Sequence, residues 1–180
     1  MVYFGLAAHN ADATSHLANG MAVAVKDVPP NDIADALDMH IWKFDVVMPD
    51  TKHFCMVTLN AYSQGKFVRT LAGGGSGANQ RDYHLTVSLT PIDGDLYTAK
   101  RVRCVINFGG GAASAFFPNP FLNRKSIAIG PYVSEAGNRV YLMGGGKQAH
   151  SPAGSNDLDI ALDIKPGPLI PNFPSPQKQP

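Results

Sequence analysis

Charge is what this chain is shortest of. Only 16% of its 180 residues are Asp, Glu, Lys or Arg, against roughly 25% in ordinary soluble domains. The formal net charge is +1. A protein that holds nucleic acid by displacing counterions from phosphates needs a basic stripe. The nearest approach here is Lys100-Arg101-Val102-Arg103, with Arg124-Lys125 further on. Such short basic groups fit a strand edge guarded against aggregation just as well, so nucleic acid is not an expected partner. What replaces the charge is Gly, Ala, Asn, Ser and Thr. A polar but weakly charged surface of this kind suits a protein that packs against something.

Long apolar runs are missing too. No stretch approaches the roughly 18 apolar residues of a membrane-spanning helix, so no membrane span is expected. The segment from Met1 to His9 has neither the basic start nor the apolar stretch of a secretory leader, and the sequence names no compartment. Cysteine is scarce, with Cys55 and Cys104 only. By strand parity both fall with apolar neighbours, Cys55 with Val57 and Leu59, Cys104 with Val102 and Ile106. A disulfide between them would close a loop of about fifty residues and stabilise by about 4 kcal/mol in the chain-entropy model. The alternative is two buried thiols acting as small hydrophobes. The alternative is preferred, because nothing in the sequence points to an oxidising compartment. The immunoglobulin pattern is not met: Trp42 precedes the first cysteine, and Val102 rather than a tyrosine lies two residues before the second.

Catalytic and cofactor signatures are absent as well. The six histidines, at 9, 16, 40, 53, 84 and 150, form no H-x-H or H-E-x-x-H pair that would set two imidazoles on one metal. Gly73-Gly74-Gly75-Ser76-Gly77-Ala78 matches the loose form G-x-G-x-x-A, but a dinucleotide loop must open a helix, and a strand follows here. Gly144-Gly145-Gly146-Lys147 lacks the Ser or Thr that follows the lysine of a phosphate loop. Asp93-Gly94-Asp95 is a turn signal before it is a calcium loop. No serine sits in a nucleophile elbow. No enzyme, metal or cofactor is expected.

What the chain does have is a recurring form. Three times two short strands flank a tight turn and run into three glycines. The turns are Ser63-Gln64-Gly65-Lys66, Ile92-Asp93-Gly94-Asp95 and Glu135-Ala136-Gly137-Asn138. The triplets begin at Gly73, Gly109 and Gly144. The spacing from turn glycine to triplet is eight, fifteen and seven residues, so this is a repeated hairpin form and not a fixed-period solenoid. Period-two alternation marks strands at 40–48, 83–90, 101–108 and 158–164, and further strands are expected at 53–61, 66–72, 126–133 and 138–143. About eight strands with no helical pattern between them need a second sheet as cover. The expected fold is all-β, an antiparallel two-sheet sandwich of jelly-roll or Greek-key type.

The ends differ from the middle. Residues 1–37 read as an irregular arm, with an apolar patch at Met21–Val25 suited to a short edge strand and a helix start at Pro29-Pro30-Asn31-Asp32. The sandwich is expected over 38–165. From Pro166 to Pro180 there are six prolines, which remove donors and favour polyproline II, so 166–180 is expected to be a tail outside the sheet. The leading functional expectation is a non-enzymatic structural or assembly protein, such as a virion or surface-array subunit, whose sandwich and arms self-associate. Its partners would be further copies of itself, or another protein reached through the tail, where Pro168 and Pro171 make a P-x-x-P form. The other expectation is a module whose glycine-rich end loops take a carbohydrate, lipid head or peptide, with Tyr97, Tyr132 or Phe116 and Phe117 stacking on it. Ligand or interface candidates are Gly73, Gly75, Gly110 and Gly145 in the triplets and Phe116, Phe117 and Phe121 in a run too apolar for an idle loop. The first and third triplets end their hairpins in the same sense and are expected at one end of the sandwich.

Overall fold

The computed structural model describes residues 14–16, 22–26, 38–76, 80–108, 110–124, 126–134, 139–146 and 156–169. These contain strands and turns and no helix. The strands are β1 (Thr14–His16), β2 (Ala22–Lys26), β3 (His40–Val47), β4 (His53–Ser63), β5 (Lys66–Ser76), β6 (Asp82–Ile92), β7 (Arg101–Asn107), β8 (Ala112–Pro118), β9 (Ser126–Val133), β10 (Arg139–Gly146) and β11 (Leu158–Leu169). They form two antiparallel sheets. One has six strands in the order β1-β2-β3-β6-β7-β8, and the other has five in the order β5-β4-β11-β10-β9.

Alternation explains why these segments are strands and which way they face. Trp42, Phe44 and Val46 of β3, Tyr83, Leu85, Val87 and Leu89 of β6, and Val102, Cys104 and Ile106 of β7 are buried from the six-stranded side. Cys55, Val57, Leu59 and Ala61 of β4 and Leu158, Ile160, Leu162 and Ile164 of β11 are buried from the other. Together they make one continuous core. Trp42 ties the layers, its indole Nε1 donating to the carbonyl of Gly130 on β9 at 3.0 Å. On the opposite side β5 lies against β8. The chain changes sheet at β3–β4, β5–β6 and β8–β9, and the pairings that join distant segments are β3 with β6 and β4 with β11.

Cys55 and Cys104 are free and buried. Burial pushes each thiol up to about 12, so neither is a nucleophile at neutral pH. The hairpin turn at Gln64-Gly65 has positive φ at both residues, 48° and 76°, as a two-residue turn of the primed type requires.

Four expectations need correcting. First, β8 is not among the strands expected: Ala112-Ala113-Ser114-Ala115 has little β-propensity, yet these small side chains suit a strand lying over β5, where Gly74 faces Ala113. Second, the strands number more than eight: the short strand expected at Met21–Val25 is β2, which pairs along β3 from Ala22↔Val47 to Lys26↔Lys43, but β1 lies beyond it, so β2 is not the edge. Third, β11 does not stop at Lys165. It pairs with β4 through Pro166↔Cys55 and Leu169↔His53. Among the described residues its other neighbour, β10, pairs with 158–163 only, and a proline whose nitrogen faces an unpaired flank costs no ladder bond. Fourth, two of the three glycine triplets lie within strands, Gly73–Gly75 in β5 and Gly144–Gly146 in β10. The helix start expected after Pro29 and the turn at 135–138 lie outside the described residues.

Candidate association surface

The expected meeting of the first and third triplets does not occur. Gly73–Gly75 pairs with Met56–Thr58 near the start of β4, while Gly144 and Gly145 pair with Asp159 and Leu158 at the start of β11. Because β11 is antiparallel to β4 and Asp159 lies opposite Tyr62, the two triplets are at opposite ends. The first triplet instead meets the second. Gly75, Gly110, Asp82, His84 and Phe108 line a hollow of about 470 Å³. At its rim Nδ1 of His84 is 2.8 Å from Oδ1 of Asp45.

The opposite end is solid. Buried Asn119 donates from Nδ2 to the carbonyls of Leu96 and Ala99, each at 2.8 Å, and accepts from the Phe121 amide at 2.9 Å. This clamps two loops together and sets the Phe121 ring against Gly145. Asp95 caps the neighbouring turn, accepting from the amides of Tyr97 and Thr98 and from the Thr98 hydroxyl. The Thr98 hydroxyl, first among these, holds the Asp95 carboxyl below its usual range. A smaller hollow of about 270 Å³ beside this end is lined by Asp38, His40, Leu96, Tyr97, Ile127 and Ile129. Burial lowers the His40 pKa, against the opposing charge of Asp38.

The outward face of the five-stranded sheet carries a polar network. Arg139 donates from Nε to Asp163 at 2.9 Å, and its guanidinium lies 3.7 Å from the centre of the Tyr62 ring. Asp163 also accepts from the Tyr62 hydroxyl and, at 2.8 Å, from Asn60. Burial, then the hydrogen bond and charge of Asp163, pushes the Tyr62 phenol up to about 12. Burial works against the Arg139 charge, but its hydrogen bonds to Tyr141 and Asp163 keep its pKa above the usual value. Through these bonds the network ties β4, β10 and β11 together on this face.

The edges of the sheets are different in kind. Phe67 and Val68 on β5 are 60% and 53% exposed, Phe116 on β8 is 53% exposed, and Ile129 and Tyr132 on β9 are exposed as well. All three strands are edges. Among the described residues the remaining exposed large apolar side chains, Tyr97 and Leu122, lie in the loops beside them. Arg101 and Arg103 lean over the Phe116 ring, their guanidinium carbons 5.2 and 6.0 Å from its centre, and neither forms a salt bridge among the described residues.

No family model, curated protein or solved structure matches the chain. Its surface is therefore read on its own geometry. Of the candidates named from sequence, Gly75 and Gly110 come together at the hollow, with Gly73 two residues from Gly75 on β5. Gly145 does not join them. Phe117 and Phe121 are core residues, while Phe116 alone of the three is outside. Pro168 is exposed on β11, and Pro171 lies outside the described residues. Phe67, Val68, Ile129 and the pairing of Arg101 and Arg103 around Phe116 were missed. Phe67-Val68 falls within the strand expected at 66–72, where two adjacent apolar residues do not say which of them is exposed.

Proposed function

We propose that the protein is a non-enzymatic structural or assembly subunit, such as a component of a virion or surface array, that works by self-association of a β-sandwich. The observation that carries this reading is the placement of large apolar side chains on β5, β8 and β9. Monomeric proteins blunt their edges, because an open row of N–H and C=O groups templates pairing with another chain. Edges that carry exposed Phe, Ile, Tyr and Val are instead the chemistry of a surface that becomes covered. The low charge of the whole chain supports the same reading. As to fold type, the return of β6 beside β3 after the β4–β5 hairpin favours a Greek-key wrap over a jelly roll, in which consecutive strands alternate between sheets.

The test is the mass in solution by size-exclusion with light scattering over a hundredfold concentration range. The full chain should give a defined oligomer or particle, and Phe116→Ser on β8 should shift it toward 19.2 kDa, the mass of one chain. A monomer throughout would end this reading. A companion chain ending after Leu169, which keeps β11 whole, asks whether the residues beyond it act as an assembly arm or bind another protein.

The second reading, a ligand-binding module, has one observation in its favour: the hollow that Gly75 and Gly110 share with Asp82 and His84. Stabilisation of a monomer by an added saccharide or peptide would support it.

A further inference from the structure

The edge strands are not equally protected. β5 carries Lys66 and Arg69, and its pairing with β4 is broken by two register shifts. β9 contains Gly130-Pro131, and its pairing with β10 shifts register once. β1 is three residues long. Charges, bulges, prolines and shortness are the devices that keep an edge from pairing. β8 has none of them before its last residue. Ala112-Ala113-Ser114-Ala115-Phe116-Phe117 is uncharged, and its register with β7 is continuous from Arg101↔Pro118 to Asn107↔Ala112.

Two hydrogen bonds fix which backbone groups of β8 look outward. The Asn119 amide donates to the Lys100 carbonyl at 2.9 Å, and the Phe108 amide donates to the Gly111 carbonyl at 2.9 Å. With no register shift between them, residues 113, 115 and 117 bond to β7. The N–H and C=O groups of Ala112, Ser114 and Phe116 therefore point away from the sheet. Pro118, next in that outward series, has no N–H, which is where an edge strand tolerates proline.

We propose that β8 pairs with β8 of a second copy, antiparallel about a twofold axis at Ser114, joining two six-stranded sheets into one. This rests on the self-association reading and names its interface. In this register Ala112 lies opposite Phe116 of the second copy, and Ser114 lies opposite itself. Each pair exchanges both of its hydrogen bonds. A register one step on, centred on Ala115, sets Ala112 against Pro118, which has no donor to return. A step back, centred on Ala113, pairs Phe116 with Gly110, outside the strand.

Side chains agree with the Ser114 register. Using the pairings within one copy, the row across the joint reads Thr90, Arg103, Phe116, then Ala112, Asn107 and Thr86 of the second copy. The exposed Phe116 ring meets a methyl group. The central row reads Ser88, Val105, Ser114 and its mirror. No two like charges face each other, and Arg103 of each copy falls at opposite ends of the joint. The interface is isologous and closes on itself, as a twofold contact must.

The test is a cysteine at the axis. In a hydrogen-bonded antiparallel pair the Cα atoms are about 5.5 Å apart, inside the range a disulfide spans. Native Cys55 and Cys104 are buried and stay silent. Under a mild oxidant, full-length Ser114→Cys should form a covalent dimer at least tenfold faster than Thr51→Cys, an exposed loop control. Ser114→Pro and Ser114→Lys should each weaken self-association at least tenfold. Neither removes a bond to β7, so thermal unfolding of the dissociated chain should be little changed. If the full chain is oligomeric but Ser114→Cys reacts no faster than the control and the other two variants leave the mass unchanged, β8 pairing is wrong while self-association stands. If the unaltered chain is monomeric at every concentration and Ser114→Cys reacts no faster than the control, both readings fall together.

Discussion

Two stretches of three glycines, identical in sequence and both next to a turn or hairpin, do opposite things in this molecule. At Gly144–Gly146 all three residues are buried. A Cβ on Gly145 would lie 2.8 Å from Cδ1 of Phe121, and one on Gly144 would fall onto Asn156 and within 2.8 Å of Asp159. At Gly110 and Gly111 a Cβ would meet nothing within 4 Å. Gly73–Gly75 is intermediate: Gly74 is pressed hardest, a Cβ there lying 2.9 Å from Cβ of Ala113 and 3.2 Å from Phe108, while Gly73 and Gly75 meet Thr58 and the Cys55 carbonyl at 3.2 and 3.3 Å. The glycines of one end are there because neighbours occupy the space of a side chain. Those of the other end border the hollow. A glycine triplet by itself says only that a side chain is missing, and the surroundings say whether it had to be.

The contrast is broken or sharpened by one methyl group at a time. Gly145→Ala should cost most, about 2–3 kcal/mol, because an aromatic ring in a closed core gives way only with strain. Thermal melting reads this as a drop of several degrees. Phe121→Leu should cancel much of that penalty, since contacting sites couple, and a purely additive double variant would mean that the ring is not what Gly145 accommodates. Gly74→Ala should cost about 1 kcal/mol, the contact being with one methyl group and a ring edge. Gly110→Ala should lie within about 0.5 kcal/mol of the original chain in either direction. If it destabilises as much as Gly145→Ala, the two ends are not different in kind.

Much of the fold can be read from residue order, for a physical reason. In β3, β6 and β7 a single apolar face was written as clean alternation, and burial follows it residue by residue; in β11 the alternation marks the strand, but Asp159 and Ala161 on its other face are buried as well. The same reasoning failed at β8, where the inward positions Ala113 and Ala115 are small because β5 is close beneath them. Small side chains carry no periodic signal, so the strand most open to another chain was the one hardest to see. Pro166 and Pro168 misled in the opposite direction. A proline excludes a strand only where both flanks are paired, and whether β10 reaches that far is a property of the sheet rather than of the local residues. Of the candidate site, Phe116 could be seen, because an aromatic between Ala and Phe in a weakly charged chain stands out. Its arginine neighbours could not, since their meeting depends on the register of β7 against β8.

Trp42 is the single tryptophan of the chain, and it bridges the two layers. Its ring is almost wholly buried, and its N–H is held by a carbonyl of the facing sheet. The molecule thereby carries a built-in optical gauge of the distance between its layers. While the layers stay shut the indole is in an apolar surrounding with one fixed partner, and its fluorescence should be blue-shifted and insensitive to added iodide. Any event that slides β9 off β3, whether denaturant, a variant of the solid end or assembly that strains the sheets, should redden that emission and admit the quencher. Joining at β8, on the far edge, should leave the colour unchanged.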